Sequence, residues 1–185
     1  MQAVPSYSLL IQKNSSVSLN LENFGCPLPK PALIGVLSVL QQNNTARRNY
    51  LRQKYTEMNT NLLPSEQIDV KFIFGRPSSK EEVIQLNLER EINPNDTIIT
   101  NRLEGVNNGK SVDWFRIARN LVYVPHPNQE GRWCRKYLAV AKTDDDTVIS
   151  VPRASKLFLS LRKDAPLFLG HPFIDTTPEN ETIDG

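Results

Sequence analysis

The run Ala32-Leu33-Ile34-Gly35-Val36-Leu37-Ser38-Val39 is apolar without alternation. A strand with one solvated face alternates apolar and polar residues, and this one offers almost nothing to water on either side. It predicts a β-strand buried on both faces, of the kind found inside a parallel sheet with helices above and below. The chain beyond it supplies such layers. Asn43 to Tyr55 predicts a helix with Thr45 at its N-cap and Leu51 and Tyr55 four apart on one face. Ile68 to Gly75 predicts a second strand, and Ser78 or Ser79 caps a helix running to about Glu91, with Glu81 and Glu82 in its first turn. A short third strand, Asp96 to Ile99, is followed by a break at Asn107-Asn108-Gly109. From Lys110 to about Val122 a helix presents Trp114, Ala118 and Leu121.

Residues 123 to 136 contain Pro125, Pro127 and Gly131 and predict a surface excursion, with His126 exposed in it, as is His171 before Pro172. A strand from Tyr137 into Asp144 comes next and is expected near the sheet centre. Pro152 then opens a helix with Leu157 and Leu161 on its apolar face, and Leu167 to Gly170 predicts a last strand. Alternating strands and helices imply an α/β fold, a three-layer α/β/α sandwich with a largely parallel sheet and ligands gathered at the carboxyl ends of its strands. Residues 1–30 read as an irregular lead-in, 31–170 as the domain and 171–185 as a polar tail.

Composition narrows the function classes. With 22 basic and 20 acidic residues the net charge is +2, which provides no footprint for nucleic acid. No apolar run reaches the roughly 20 residues that span a bilayer, and Met1 to Ile11 lacks the basic start of a signal peptide. Cys26 and Cys134 leave both pairing and compartment open. Acceptor patterns for N-glycosylation at Asn14, Asn43, Asn95 and Asn180 are compatible with a secretory location.

The chemistry concentrates where the strand from Tyr137 meets Asp144-Asp145-Asp146. Three adjacent anions repel one another, and a divalent cation with oxygen ligands relieves that repulsion. In an extended backbone Asp144 and Asp146 would share a face and Asp145 the other. The flanking Val140, Val148 and Ile149 are expected to be buried. Arg48 and Arg52, four apart on the first helix, offer two readings: a solvated helix surface, or a fork for phosphate oxygens.

Several ordered blocks resemble the β-1,3-galactosyltransferase family, glycosyltransferase family 31. Arg48-Asn49-Tyr50-Leu51-Arg52-Gln53-Lys54-Tyr55 is similar to its R-x-x-I-R-x-T-W segment, with Lys54 and Tyr55 in place of the usual Thr and Trp. Phe72-Ile73-Phe74-Gly75, Asp96-Thr97-Ile98-Ile99 with Glu82 and Glu91, and Asn108-Gly109-Lys110 with Trp114 follow in the family's order. Cys134 stands eight residues before Lys142 and the Asp triplet, as in its C-P…K-T-D-D-D segment, while Thr147 and Val148 depart from the pattern. The resemblance implies a GT-A (Rossmann-like) nucleotide-sugar-binding fold and transfer of galactose or an N-acetylhexosamine from a UDP-sugar to a glycan, glycoprotein or glycolipid hydroxyl, with inversion. It implies Mn²⁺, or Mg²⁺ in its place, on Asp146 and Asp144. Asp144 would also face the ribose, Asp145 the donor sugar, and Arg48 and Arg52 the nucleotide.

Family members are generally type II proteins of the Golgi membrane, and the anchor and the later segment with the general base have no counterpart in this chain. The chain therefore resembles the donor-binding half of such an enzyme, expected to be inactive alone. The rival reading is a non-catalytic nucleotide-sugar-binding protein. A phosphatase of D-x-D-x-T type would need its Thr one place later than Thr147. A glycoside hydrolase would need carboxylates on opposite sides of the scissile bond.

Overall fold

A computed structural model describes residues 25–105 and 109–161. The unalternated run becomes β1 (Lys30–Leu37), buried along all but its end residues. After it come α1 (Gln42–Thr60), β2 (Asp69–Arg76), α2 (Lys80–Ile92), β3 (Thr97–Leu103) and α3 (Lys110–Leu121). The short β4 (Tyr123–Pro125) and β5 (Trp133–Arg135) lead to β6 (Tyr137–Asp144) and α4 (Val151–Ser160). Four strands form one sheet in the order β3-β2-β1-β6, with every neighbouring pair parallel. β4 and β5 make a separate antiparallel hairpin.

Because successive Cβ atoms of a strand point to opposite faces, β1 and β2 feed two cores at once. Ala32, Ile34, Val36, Phe72 and Phe74 pack against Leu51 and Tyr55 of α1, Leu86 of α2 and Val151 of α4. On the other face Leu33 and Ile73 meet Trp114 and Ala118 of α3, together with Tyr137. This is the expected α/β sandwich. Burying a side chain of this size contributes about 1.5–3 kcal/mol, so neither layer is dispensable. Trp114 approaches β1 closely because Gly35 has no side chain there: a Cβ on Gly35 would lie 2.4 Å from the ring. The ring N–H donates to the Ala141 carbonyl of β6 at 2.9 Å, so one indole joins the two strands.

Ser79 caps α2 in a capping box with Glu82, each satisfying the other's backbone N–H. Other details depart from expectation. Gln41, not Thr45, precedes α1, and the Thr45 hydroxyl accepts from Arg48 instead. α4 turns Val151, Ala154, Ser155 and Phe158 inward and leaves Leu157 half exposed. Val151 docks directly after Ile149, which is already packed on the core, so the incoming loop fixes the helix's rotation before the leucines are reached. β6 lies at the end of the strand order of the described residues, not at its centre. Val148 is half exposed.

The excursion folds into the β4–β5 hairpin, and Cys134 on it is joined to Cys26 by a disulfide. This closure brings Gly25, in the left-handed conformation, over the His126 ring. His126 is consequently buried, at 8% exposure, and its Nδ1 accepts from the Asn128 N–H at 3.1 Å. Exposure was the wrong expectation because the covering segment lies about a hundred residues away in sequence. His171, the strand expected at Leu167 to Gly170, the polar tail and most of the lead-in fall outside the described residues.

Candidate functional site

From β1 the sheet grows through β2 to β3 on one side, and then the chain returns to place β6 on the other side of β1. Connections leaving β1 and β6 therefore diverge at the carboxyl ends of these strands, and such a switch point is where open parallel sheets leave a crevice. Leu37 of β1 is in register with Asp144 of β6. The Asp triplet sits at this position.

The backbone does not stay extended through the triplet. It turns after Asp144, with the Thr147 N–H donating to the Asp144 carbonyl at 3.2 Å. The separation of Asp145 from Asp144 and Asp146 is therefore set by this turn and not by an extended backbone. At Asp145 the N–H donates to the Leu37 carbonyl at 3.2 Å. Its carboxylate oxygen Oδ2 accepts from the Ser38 hydroxyl at 2.5 Å and from Asn44 Nδ2 at 3.0 Å. Arg47 lies 3.9 Å from the other oxygen. Asp144 and Asp146 are exposed, and Asp146 Oδ1 accepts from the Thr147 hydroxyl at 3.2 Å. Two carboxylates thus face outward from one turn while the third is tied to the end of β1. Hard oxygen donors of this kind suit Mn²⁺ or Mg²⁺. Among the described residues, the group of His, Cys, Asp and Glu gathered within 4.8 Å is Cys26, His126 and Cys134, whose two sulfurs are bonded to each other and so are not metal ligands. The three Asp carboxylates are less tightly gathered, in keeping with Asp145 being held by Ser38.

Arg48 and Arg52 are not a solvated surface pair: both are engaged by carboxylates, and the Arg52 side chain keeps 13% exposure. Arg48 is fully buried. It donates to Glu89 at 2.6 Å, to the Val39 carbonyl at 2.9 Å and to Ser38 Oγ at 3.2 Å. Arg52 bridges Glu89 and Asp96, at 2.8 Å each. The guanidinium groups also lie over Phe74 and Phe72, 5.2 and 4.2 Å from the ring centroids. Burial disfavours the charge of Arg52, but Asp96 and Glu89 outweigh it and raise the pKa. Two cations and two anions close one network between α1 and α2. Contact with a phosphate would require either arginine to leave its carboxylates.

Further residues reach the site, among them Lys110 and Tyr55, which the sequence marked only as helix residues and as parts of family-like blocks. Lys110 donates to the Ser38 carbonyl and to Glu104, at 2.6 Å each, and this ion pair is almost fully buried. The Tyr55 hydroxyl lies 3.4 Å from both the Thr147 carbonyl, to which it donates, and the Ile149 N–H, from which it accepts. Ser38 had one visible signal, as the polar residue inside an otherwise apolar run. Asn44 and Arg47 had none, since their contacts come from a loop about a hundred residues later.

Comparison with known proteins adds one relationship. Over 88 residues, 48% of this chain, the sequence is 31% identical to a β-1,3-galactosyltransferase, pvg3, of Schizosaccharomyces pombe (strain 972 / ATCC 24843). The match spans 22% of that protein's length. No family model and no solved structure matches the chain. The similarity supports a distant galactosyltransferase-like relationship.

Proposed function

We propose that the chain forms the donor-binding part of a metal-dependent glycosyltransferase acting on a UDP-sugar. The observation that carries this reading is the Asp144–Asp146 turn at the switch point between β1 and β6, with two carboxylates facing out. The similarity to a β-1,3-galactosyltransferase supports transfer of galactose or an N-acetylhexosamine to a glycan hydroxyl in β-1,3 linkage. Asp146 and Asp144 would hold Mn²⁺ or Mg²⁺. When bound, the cation would neutralise the diphosphate and stabilise the charge that develops on UDP as it leaves. Arg47, more than half exposed beside the triplet, is a guanidinium placed to meet a phosphate oxygen, and Arg48 and Arg52 support the helix that presents it. Inverting transfer also needs a base within hydrogen-bond reach of the acceptor hydroxyl, and this reading assigns that role to no described residue. The Cys26–Cys134 disulfide and the exposed Asn43 and Asn95 support a secretory location such as the Golgi lumen.

One observation favours a second reading, a non-catalytic nucleotide-sugar-binding protein: the two family-like arginines are already fully engaged with Glu89 and Asp96. Calorimetric titration with UDP, with and without Mn²⁺, tests what both readings share. We expect Mn²⁺-dependent binding that Asp146→Ala abolishes and Asp144→Ala weakens. Binding indifferent to both metal and Asp146 would end the donor-site reading. Incubation with UDP-galactose and a glycan acceptor then separates enzyme from binder.

A further inference from the structure

Two buried ion pairs, one from each helical layer, converge on a single residue. Ser38 follows the last residue of β1 and is 2% exposed. From the α1–α2 layer, Arg48, fixed by Glu89, donates to its hydroxyl oxygen. From the α3 side, Lys110, fixed by Glu104, donates to its carbonyl. Its own N–H donates to the Ile73 carbonyl of β2 at 3.1 Å. Every polar group of Ser38 is therefore committed, and the hydroxyl proton has one direction left, toward Asp145 Oδ2 at 2.5 Å.

We propose that Ser38 is a positioning residue that couples the buried Arg48–Glu89 pair to Asp145 and thereby fixes the Asp144–Thr147 turn. Asp145 then serves as the anchor of the triplet and not as a contact to the donor sugar. The physical reason lies in the like charges. Three neighbouring carboxylates on a free turn would splay apart, and gathering two of them around a cation would cost ordering free energy at the moment of binding. Here Ser38, Asn44 and the Leu37 carbonyl hold Asp145 in advance. The turn cannot swing away from β1 unless those three bonds break together. Asp144 and Asp146 are left outside, on a rigid support. Groups that orient metal ligands without touching the metal have effects of this kind.

The functional consequence rests on the donor-site reading above, so the test has one arm that needs no metal. In the full chain, Ser38→Ala should speed amide hydrogen exchange at Asp145 and Thr147 by about tenfold relative to Phe72 of β2. It should also weaken Mn²⁺ binding, followed by electron paramagnetic resonance with the metal alone, by about tenfold. Ser38→Thr, which keeps the hydroxyl, should restore most of both. In an Asp145→Ala background, Ser38→Ala should add nothing to the loss of Mn²⁺ affinity, because its effect passes through Asp145. Asn44→Ala, at the start of α1 and easier to accommodate, should move both readouts in the same direction by about threefold. Asp69→Asn, at the opposite end of the sheet, should lower stability and leave Mn²⁺ affinity unchanged. If Ser38→Ala and Asn44→Ala leave exchange in the turn unchanged, the coupling is refuted. It is equally refuted if the Ser38 and Asp145 losses add. If the unaltered chain binds no Mn²⁺, the donor-site reading fails and the exchange arm still decides the coupling.

Discussion

β1 and β6 are held together differently at their two ends. Where they begin, the closure is covalent: the Cys26–Cys134 disulfide lies just ahead of both strands, and the Lys30 N–H donates to the Lys136 carbonyl. Asp69 completes this end, accepting from Lys30 and from the Tyr137 hydroxyl at 2.6 Å each, so a single carboxylate meets a single ammonium. Where the strands finish, pairing ends at Leu37 and Asp144, hydrogen bonds tie Asp145 to Ser38 and Asn44, and Arg47 stands 3.9 Å from Asp145 while Asp144 and Asp146 are exposed. The same residue type therefore serves opposite ends. The balanced carboxylate is structural, while the exposed pair on the hydrogen-bonded closure is where the proposed cation would sit.

The most severe way to break this contrast is to remove support from the hydrogen-bonded end. Glu89→Gln leaves Arg48 and Arg52 buried without a shared anion and should cost about 3–5 kcal/mol, read from urea denaturation. Exchange protection in the Asp144–Thr147 turn should fall further than protection in the β4–β5 hairpin. Replacing both cysteines by serine attacks the other end. Opening a closure that spans 108 residues should cost about 2–4 kcal/mol while leaving Mn²⁺ affinity unchanged under conditions where the chain stays folded. A shared loss of affinity would show that the two ends are not independent.

The gentlest probe is pH. Burial pushes the Asp69 carboxyl up, but the hydrogen bonds from Lys30 and Tyr137 outweigh it and hold its pKa below the usual carboxylate value. Tyr137 is pushed upward, by burial first and then by Asp69. A carboxyl lowered on folding stabilises the protein above the unfolded-state pKa of about 4 and ceases to do so as pH falls through the folded value. Asp69→Asn should therefore lose about 1–2 kcal/mol at pH 7, and the difference from the unaltered chain should shrink as pH falls below the ordinary carboxylate value. A tyrosine raised on folding works in the other sense, adding stability below about pH 10 that is lost as pH climbs to its folded value. Denaturant midpoints across the pH range check both signs.

Much of the architecture was legible because it depends on patterns within short stretches. The unalternated Ala32–Val39 run required two covering layers, and Ser79 with Glu82 announced the start of α2 within four residues. What escaped depended on partners distant in the chain. Arg48 and Arg52 have the spacing of a surface pair, and only the position of α2 places Glu89 between them. The backbone turns after Asp144 instead of staying extended, and the Asp145 carboxylate is held by Ser38 and Asn44, about a hundred residues earlier in the chain. His126 lies between prolines in an exposed-looking stretch, and a disulfide closes over it. The triplet itself was visible, but which of its members is anchored was not.

The indole that rests on Gly35 has an optical consequence. The chain has two tryptophans; Trp114 is fully buried against β1 and bonded to β6, and Trp133 on the hairpin is 44% exposed. Iodide in the solvent should quench Trp133 and spare Trp114, leaving a short-wavelength emission from a single buried ring. That emission reports the seating of β6 on β1 three residues before Asp144, so the platform beneath the triplet carries its own fluorophore.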